Sequence, residues 1–307
     1  MPTISVVIPA YNAERTILET VASVLQQTFS DFELIVIDDG SRDRTVELLQ
    51  SIKDERLKVF SYENGGLPVA RNRGISRSNG EFITFVDADD LWTPDKLELQ
   101  LAALQQHPEA GVAYSWTSCI DERGELLFQY APTFYEGNVY AQLLIGDFIY
   151  SGSNTMIRRQ AVESAGEFDP TFKSCEDWDY WLRLAVRWPF VVVRKHQILY
   201  RRSSGAMSSK IDVMKEAALI AMEKAYRAAP LELQYLKNQT WISFYKYSAE
   251  LYLRYSTNFS GINKAGWNLW MALRLNPKIV LDKNFQGLVK WLIKKLILTP
   301  QLIFQNL

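Results

Sequence analysis

Only two cysteines occur in 307 residues, Cys119 and Cys175, and they stand far apart at no spacing that suits a metal. A disulfide framework is thereby excluded, and a reducing compartment is expected. Histidine is as sparse: His107 and His196 are the whole complement, and both read as exposed side chains rather than catalytic ones. No uncharged apolar run reaches the length needed to cross a bilayer. No charged leader precedes Ile4 to Ile8, which already reads as a strand, so no secretory signal is expected and a cytoplasmic location follows. Excess charge is lacking too. With 34 Lys and Arg against 35 Asp and Glu the net is −1, and no nucleic-acid partner is expected.

What is present is a core-forming composition, 48% hydrophobic and 22% charged. The neutral total hides an asymmetry. From Arg201 onward there are 16 Lys and Arg against 6 Asp and Glu, leaving 18 against 29 for residues 1 to 200. An acidic front half suits a site that collects cations, and a basic back half suits an anionic membrane or an acidic partner. Alternatively, the halves neutralise each other within one fold.

The most informative stretch is Phe82 to Pro94, FITFVDADDLWTP. A short apolar run ends in Asp87, Asp89 and Asp90, at a strand's carboxyl end. Thr93 is the expected N-cap and Pro94 the expected first residue of the next helix. Three carboxylates so close repel unless solvent, a proton or a cation offsets them. A hard divalent cation shared with substrate phosphates would do so; acidic loop residues and a helix cap are the other reading.

Ile4 to Ile8, Phe32 to Ile37 and Leu57 to Phe60 read as further strands. They alternate with helices expected to be capped by Asn12 and Ser41 and with a short helix holding Ala70, Arg71, Asn72 and Gly74. Such alternation predicts a mostly parallel sheet covered by helices. Val112 to Ile120 and Leu126 to Tyr130 read as a hairpin. Thr155 to Ile157, Phe190 to Arg194 and Gln197 to Tyr200 read as late strands, and Glu176-Asp177-Trp178 opens a helix. The polar ends Tyr11-Asn12, Asp38-Asp39 and Asp87 to Asp90 converge on one side of a parallel sheet, where ligands bind. The expected division is a first domain over residues 1–209 and a helical region over 210–307.

Taken in order, SVVIPAYN, IDDGS, ENGG, ARNRGI, FVDADD and CEDWDYWLRL resemble the family-2 inverting glycosyltransferases, nucleotide-sugar enzymes of the GT-A fold. The resemblance implies a UDP-sugar donor, a glycan or lipid-linked acceptor, and Mn²⁺ or Mg²⁺. By the same resemblance Asp39 pairs with the uracil N3 proton, flanked by Pro9 and Tyr11, and Arg71 is the basic residue on the base and phosphate side. Asp89 binds the metal and Asp87 contacts the ribose or the metal's water shell; Asp90 is expected to cap the helix or turn rather than touch the metal. Asp177 is the implied general base, with Glu176 and Asp179 as competitors of the same type. Arg201 and Arg202 would close over the diphosphate. Many relatives carry a histidine after that point; here Ser203-Ser204-Gly205 follow. A nucleotidyltransferase is the rival enzyme class, but Pro9-Ala10-Tyr11-Asn12 stands where its glycine-rich basic loop would be. A non-catalytic nucleotide-sugar or glycan-binding module of the same fold is the other rival.

Near the C-terminus, Leu288, Val289, Leu292, Ile293, Leu296 and Ile297 cover one helical face, with Lys290 and Lys294 opposite, Lys295 at the edge and Trp291 on the rim. Pro300 is expected to end the helix before Leu302-Ile303-Phe304. That face either lies on an anionic membrane or packs on the aromatic helices between Trp241 and Trp270.

Overall fold

The continuous β-branched and aromatic runs become the strands of one sheet in the computed structural model, which describes residues 1–202, 210–256 and 258–298. The strands are β1 (Ile4–Ala10), β2 (Phe32–Asp38), β3 (Leu57–Ser61), β4 (Phe82–Phe85), β5 (Leu91–Trp92), β6 (Val112–Ile120), β7 (Leu126–Gln129), β8 (Met156–Arg158) and β9 (Phe190–Arg201). Their order is β3-β2-β1-β4-β8-β6-β9-β5, with β7 beside β6. The first four are mutually parallel, β8 runs against them, and β6 and β9 are parallel to each other. The helices between them are α1 (Ile17–Leu25), α2 (Thr45–Gln50), α3 (Leu67–Arg77), α4 (Lys96–Gln106), α5 (Tyr140–Ile145), α6 (Arg159–Ala165) and α7 (Glu176–Ala185).

Period-two alternation divides each central strand between two layers. Ile4, Val6 and Ile8 of β1 and Leu34 and Val36 of β2 pack with Ile17, Val21 and Val24 of α1 and Leu97, Leu101 and Leu104 of α4. Ile35 and Ile37 of β2 face the other way, onto Ala70 of α3. Full burial of each such side chain is worth about 1.5–3 kcal/mol, and the strands are buried on both faces. Helix α3 reaches β1 only because residue 74 is glycine: a Cβ there would sit 2.2 Å from Cγ1 of Val7.

Three expected helix starts are corrected. Helix α1 begins at Ile17, α2 at Thr45 and α4 at Lys96, and none takes a side-chain cap. Asn12 and Ser41 bond across two loops instead: the Asn12 N–H donates to Ser41 Oγ at 2.9 Å, and Asn12 Oδ1 accepts the Arg42 N–H at 2.8 Å. Thr93 donates to Asp95, and Pro94 precedes the helix. The two late strands expected over 190–194 and 197–200 are one strand, β9. His196 is not exposed as expected but half-buried, edge-on to Trp116.

The chain separates into two compact units, Met1–Leu143 with Asp147–Ser203, and Leu144–Gly146 with Ser204–Leu307. The second holds α8 (Ile211–Ala228), α9 (Lys237–Tyr255), α10 (Phe259–Leu275) and α11 (Lys283–Leu298). Its core joins Leu253 and Tyr252 of α9, Ala265 and Leu269 of α10, and Phe285 and Leu288 of α11; Val289, Trp291 and Leu292 pack against that core. Much of the α11 face considered for lipid contact is therefore core, although Ile293 and Ile297 stay exposed. Pro300, Leu302, Ile303 and Phe304 lie outside the described residues. Among the described residues no helix is long and apolar enough to cross a membrane.

The close α3–β1 approach makes a testable point. Gly74→Ala should destabilise the protein by about 1–3 kcal/mol in urea unfolding, despite alanine's better helix propensity. Adding Val7→Ala should recover part of that loss; a neutral single variant would show that the contact is not tight.

Candidate active site

Strand β4 delivers Asp87 to the edge of the sheet, and the turn that follows is clamped from three directions. Thr16 and Thr20 of the α1 region donate to the Ala88 carbonyl at 2.8 and 3.0 Å, and Thr20 also donates to the Asp90 carbonyl at 2.9 Å. Ser153 accepts the Asp87 N–H at 3.0 Å and donates to Asp90 Oδ2 at 2.5 Å. From β9 the Arg201 N–H donates to Asp90 Oδ1 at 2.9 Å, and Arg201 Nε donates to the Asp89 carbonyl at 2.8 Å. Asp90 is fully buried. It does not cap a turn, as expected, but joins the acidic loop, the Ser151–Ser153 loop and β9. Burial first, and the Asp89 charge second, hold its carboxyl well above the usual range.

Asp87 and Asp89 remain half-buried. Burial and the neighbouring Asp87 push Asp89 up to about 6. Among the described residues no three His, Cys, Asp or Glu side chains form a group able to hold a metal ion. Two carboxylates at a strand end fit the other kind of site, in which a hard cation takes its remaining oxygens from substrate phosphates and water.

Arg71 of α3 reaches the same place from beneath. Its side chain is 1% exposed, and its Nη2 donates to Asp87 Oδ1 at 2.7 Å while Nη1 donates to Glu176 Oε1 at 2.6 Å. One guanidinium thus ties the end of β4 to the start of α7. The Ser151–Asn154 loop closes over it: a Cβ at Gly152 would lie 2.4 Å from Arg71 Nη2. The expectation that Arg71 meets the nucleotide differs from this placement, where both terminal nitrogens serve carboxylates.

Helix α7 begins abruptly because Cys175 takes a left-handed conformation, φ 58°. Three acids occupy the first turn, where the helix dipole favours negative charge. Their surroundings separate them. Glu176 is 5% exposed and bound to Arg71; burial pushes it up to about 7 despite that partner. Asp179 is 3% exposed and accepts from Arg183 Nε at 3.0 Å. Asp177 is half-buried and accepts the Trp178 N–H at 2.8 Å; no ion pair within 4 Å engages it among the described residues. Burial raises its pKa, Arg71 opposes that rise, and Asp87 adds to it. Asp147, absent from the sequence reading, is pushed up to about 7 by burial and then by the Asp177 charge.

On the nucleotide side, Pro9 is buried in β1 and Tyr11 beyond it is 50% exposed. Asp39 is 3% exposed. Its Oδ1 accepts the Gly65 N–H at 2.9 Å and Arg73 Nη1 at 2.7 Å, and its Oδ2 accepts the Gly66 N–H at 2.8 Å. Gly66 needs its φ of 88° to make that turn. Oδ2 retains a lone pair for another donor. Arg73, which the sequence did not single out, also lies 4.6 Å over the Tyr62 ring.

Arg201 departs from its expected role as a diphosphate ligand. Its side chain is 3% exposed and already donates to the Asp89 and Glu122 carbonyls and to Glu19 Oε2 at 2.6 Å. Arg202 donates to the Tyr130 hydroxyl at 2.7 Å. Ser203, Ser204 and Gly205 lie outside the described residues.

The Arg71 fork generates a stability prediction with a pH signature. Arg71→Met should cost about 3–5 kcal/mol, because two buried carboxylates lose their cation. A carboxyl whose folded pKa is raised costs stability when ionised, and that cost fades as pH falls through the folded value. Burial pushes Glu176 up to about 7 even with Arg71 opposing, and removing that cation should push it further. The loss should therefore be smaller at pH 6 than at pH 8 in thermal or urea unfolding; an equal loss at both would show that Glu176 is not the group left unpaired.

Residues 5–250 match the family described as glycosyltransferase like family 2. The chain is 37% identical over 191 residues to a putative teichuronic acid biosynthesis glycosyltransferase of Bacillus subtilis, covering 60% of this chain and 72% of that one. It is 28% identical over 255 residues to chondroitin synthase of Escherichia coli, covering 78% and 36%. A 34% match to an uncharacterized glycosyltransferase of Rickettsia felis takes in 59% of this chain but only 30% of that one. Among solved structures, TarS of S. aureus in complex with UDP-GlcNAc has a TM-score of 0.62 at 20% identity, covering 95% of this chain and 89% of that one. The mannosyltransferase PcManGT of Pyrobaculum calidifontis, in complex with GDP-Man and Mn²⁺, gives 0.61 at 17%, covering 100% and 88%. At such identities the two structures speak for the fold, which is GT-A. The sheet order, the acidic loop at its edge and a sequence match running over most of the chain place this protein in the glycosyltransferase-like family 2.

Proposed function

We propose that the protein transfers a sugar from a UDP-sugar to a hydroxyl of a glycan or lipid-linked acceptor, with inversion at the anomeric carbon, and that Asp177 is the general base. The observation that carries this reading is the sorting of the α7 acids. Glu176 is spent on Arg71 and Asp179 on Arg183, which leaves the half-buried Asp177 on the same edge as Asp87. The two relatives named for teichuronic acid and chondroitin synthesis support a polysaccharide setting.

In this mechanism Asp177 accepts the proton of the acceptor hydroxyl while that oxygen forms a bond to the anomeric carbon. The bond from that carbon to the diphosphate oxygen breaks on the opposite face, and its electron pair leaves with UDP. A Mn²⁺ or Mg²⁺ held by Asp89 and Asp87 would neutralise charge on the departing diphosphate. Arg71 keeps Asp87 and Glu176 fixed, so the donor-side and acceptor-side carboxylates stay in register. Tyr11 offers a flat wall to the base, and Asp39 has acceptor capacity left for the uracil N3–H. Arg201 acts through the backbone, holding Asp89 in place by its carbonyl.

Three measurements test these roles. Asp177→Asn should lower kcat by roughly 10²- to 10⁴-fold with UDP-sugar affinity nearly unchanged, whereas Asp179→Asn should not. In the wild type the acidic limb of kcat should lie above the range of an ordinary aspartate, because burial raises Asp177 and the base works only when ionised. Retained turnover in Asp177→Asn would remove it as the base. Asp89→Asn should abolish the Mn²⁺-dependent gain in UDP affinity measured by calorimetry; an undiminished gain would place the cation elsewhere.

A further inference from the structure

The helical unit contains a cavity of about 720 Å³, within the size range of small-ligand sites. It lies among α8, α9 and α10, and the acidic loop of the first unit takes no part in its lining. Asp212, Lys215, Tyr252, Asn263, Lys264 and Trp267 carry its chemistry. The Tyr252 ring is flanked by two ammonium groups, Lys215 Nζ at 5.2 Å and Lys264 Nζ at 5.4 Å from its centroid. Lys264 is neutralised by Asp212 at 3.2 Å, and Asp212 also accepts from the Tyr252 hydroxyl at 2.6 Å. Among the described residues Lys215 has no such ion pair. It is half-buried against the faces of Tyr252 and Phe244, and among the described residues no carboxylate lies within 4 Å of its nitrogen. Burial lowers its pKa, with Asp212 opposing and Lys264 reinforcing that fall. The lining as a whole therefore holds one cationic charge more than it balances.

Beside this cation stands an indole that a protein has little reason to leave in water. Trp267 is 60% exposed, and Trp270, 44% exposed, lies 4.9 Å from it between ring centroids. A flat aromatic face, the amide of Asn263 and the free acceptor capacity of Asp212 match the C–H face and the hydroxyls of a pyranose ring. The unbalanced Lys215 matches a carboxylate borne by the same saccharide. An aliphatic lipid chain would find no use for the amide and carboxylate groups.

We propose that this cavity is a binding site for an acidic saccharide, a pyranose chain carrying carboxylates, with Trp267 stacking on a sugar ring and Lys215 pairing with its carboxylate. That such a chain is also the enzyme's acceptor rests on the transferase reading given above; the binding itself does not.

The test is isothermal calorimetry on the full chain with tetragalacturonate, its methyl ester and inorganic phosphate. Tetragalacturonate should bind, and the ester, which keeps the rings and loses the charge, should bind about tenfold more weakly, the weight of one charge-assisted contact. Lys215→Met and Trp267→Ala should each weaken tetragalacturonate binding about tenfold. Both positions are partly exposed, and unchanged circular dichroism and melting temperature would show the variants folded. Asp177→Asn should leave this binding intact while turnover is lost, so failure of the transferase reading and failure of the saccharide site give different results. The proposal is overturned if tetragalacturonate does not bind, if the ester binds equally well, if either cavity variant binds as the wild type does, or if phosphate displaces the saccharide at equal concentration.

Discussion

The first unit depends on one buried cation. Arg71 gives up its hydration entirely, which for an isolated ion costs several kcal/mol; Asp87 and Glu176, arriving from β4 and α7, offset that cost with charge-assisted hydrogen bonds. The ion pair joins the end of β4, in the parallel half of the sheet, to the start of α7. It also sets the electrostatics. Asp89, Asp147, Glu176 and Asp177 all have raised pKa values; burial is the leading cause in each, and a neighbouring carboxylate adds to it. An anionic diphosphate approaching such a surface is repelled unless a cation comes with it or waits there. The acidity that first drew notice in the sequence is thus the physical reason for expecting a metal.

The sheet was largely legible because its signal is local. A strand buried on both faces is apolar at most positions, as in ISVVI, FELIVI and FITFV, whose polar Ser5, Glu33 and Thr84 are buried with hydrogen-bond partners. Val112 to Ile120 matches β6 from end to end. Helix starts were not legible, for a reason visible in Asn12 and Ser41. A small polar side chain ahead of an apolar period fits a cap, but it equally fits a bond to a neighbouring loop. Here the two supposed caps bond to each other's loops and hold the β1 and β2 crossovers together. The gap expected between residues 194 and 197 falls on Lys195 and His196; in the fold His196 pairs with Trp116 of β6, and a shift of register on each side of Trp116 keeps the strand continuous.

The site residues were legible as chemical types and opaque as partners. Nothing in the spacing joins Arg71 to Glu176, 105 residues away, or shows that Arg201 spends its donors on backbone carbonyls. Ser153 and Asp147 sit in a stretch with no periodicity; Ser153 gains its role only once the acidic loop lies against it, and Asp147 meets the charge of Asp177 only in the fold. The same geometry narrows the choice among Glu176, Asp177 and Asp179. They are equivalent in sequence and distinct in the structure because a helix turns 100° per residue, so adjacent acids meet different neighbours.

Amphipathic pattern has the same limit in the helical unit. Periodicity marks the face of α11 from Leu288 to Ile297 as apolar but does not say whether lipid or protein receives it. Leu288, Val289, Trp291 and Leu292 go to α9 and α10. That leaves α10 with the converse problem. Its Ala265, Leu269 and Ala272 are buried, so Trp267 and Trp270 must face outward, a quarter-turn or more from the core stripe. The two rings pack on each other, 4.9 Å between centroids, yet stay 60% and 44% exposed. The surface they leave open is available to a ligand, and beside Lys215 a charged, hydroxyl-rich ring matches it where another hydrophobic helix does not.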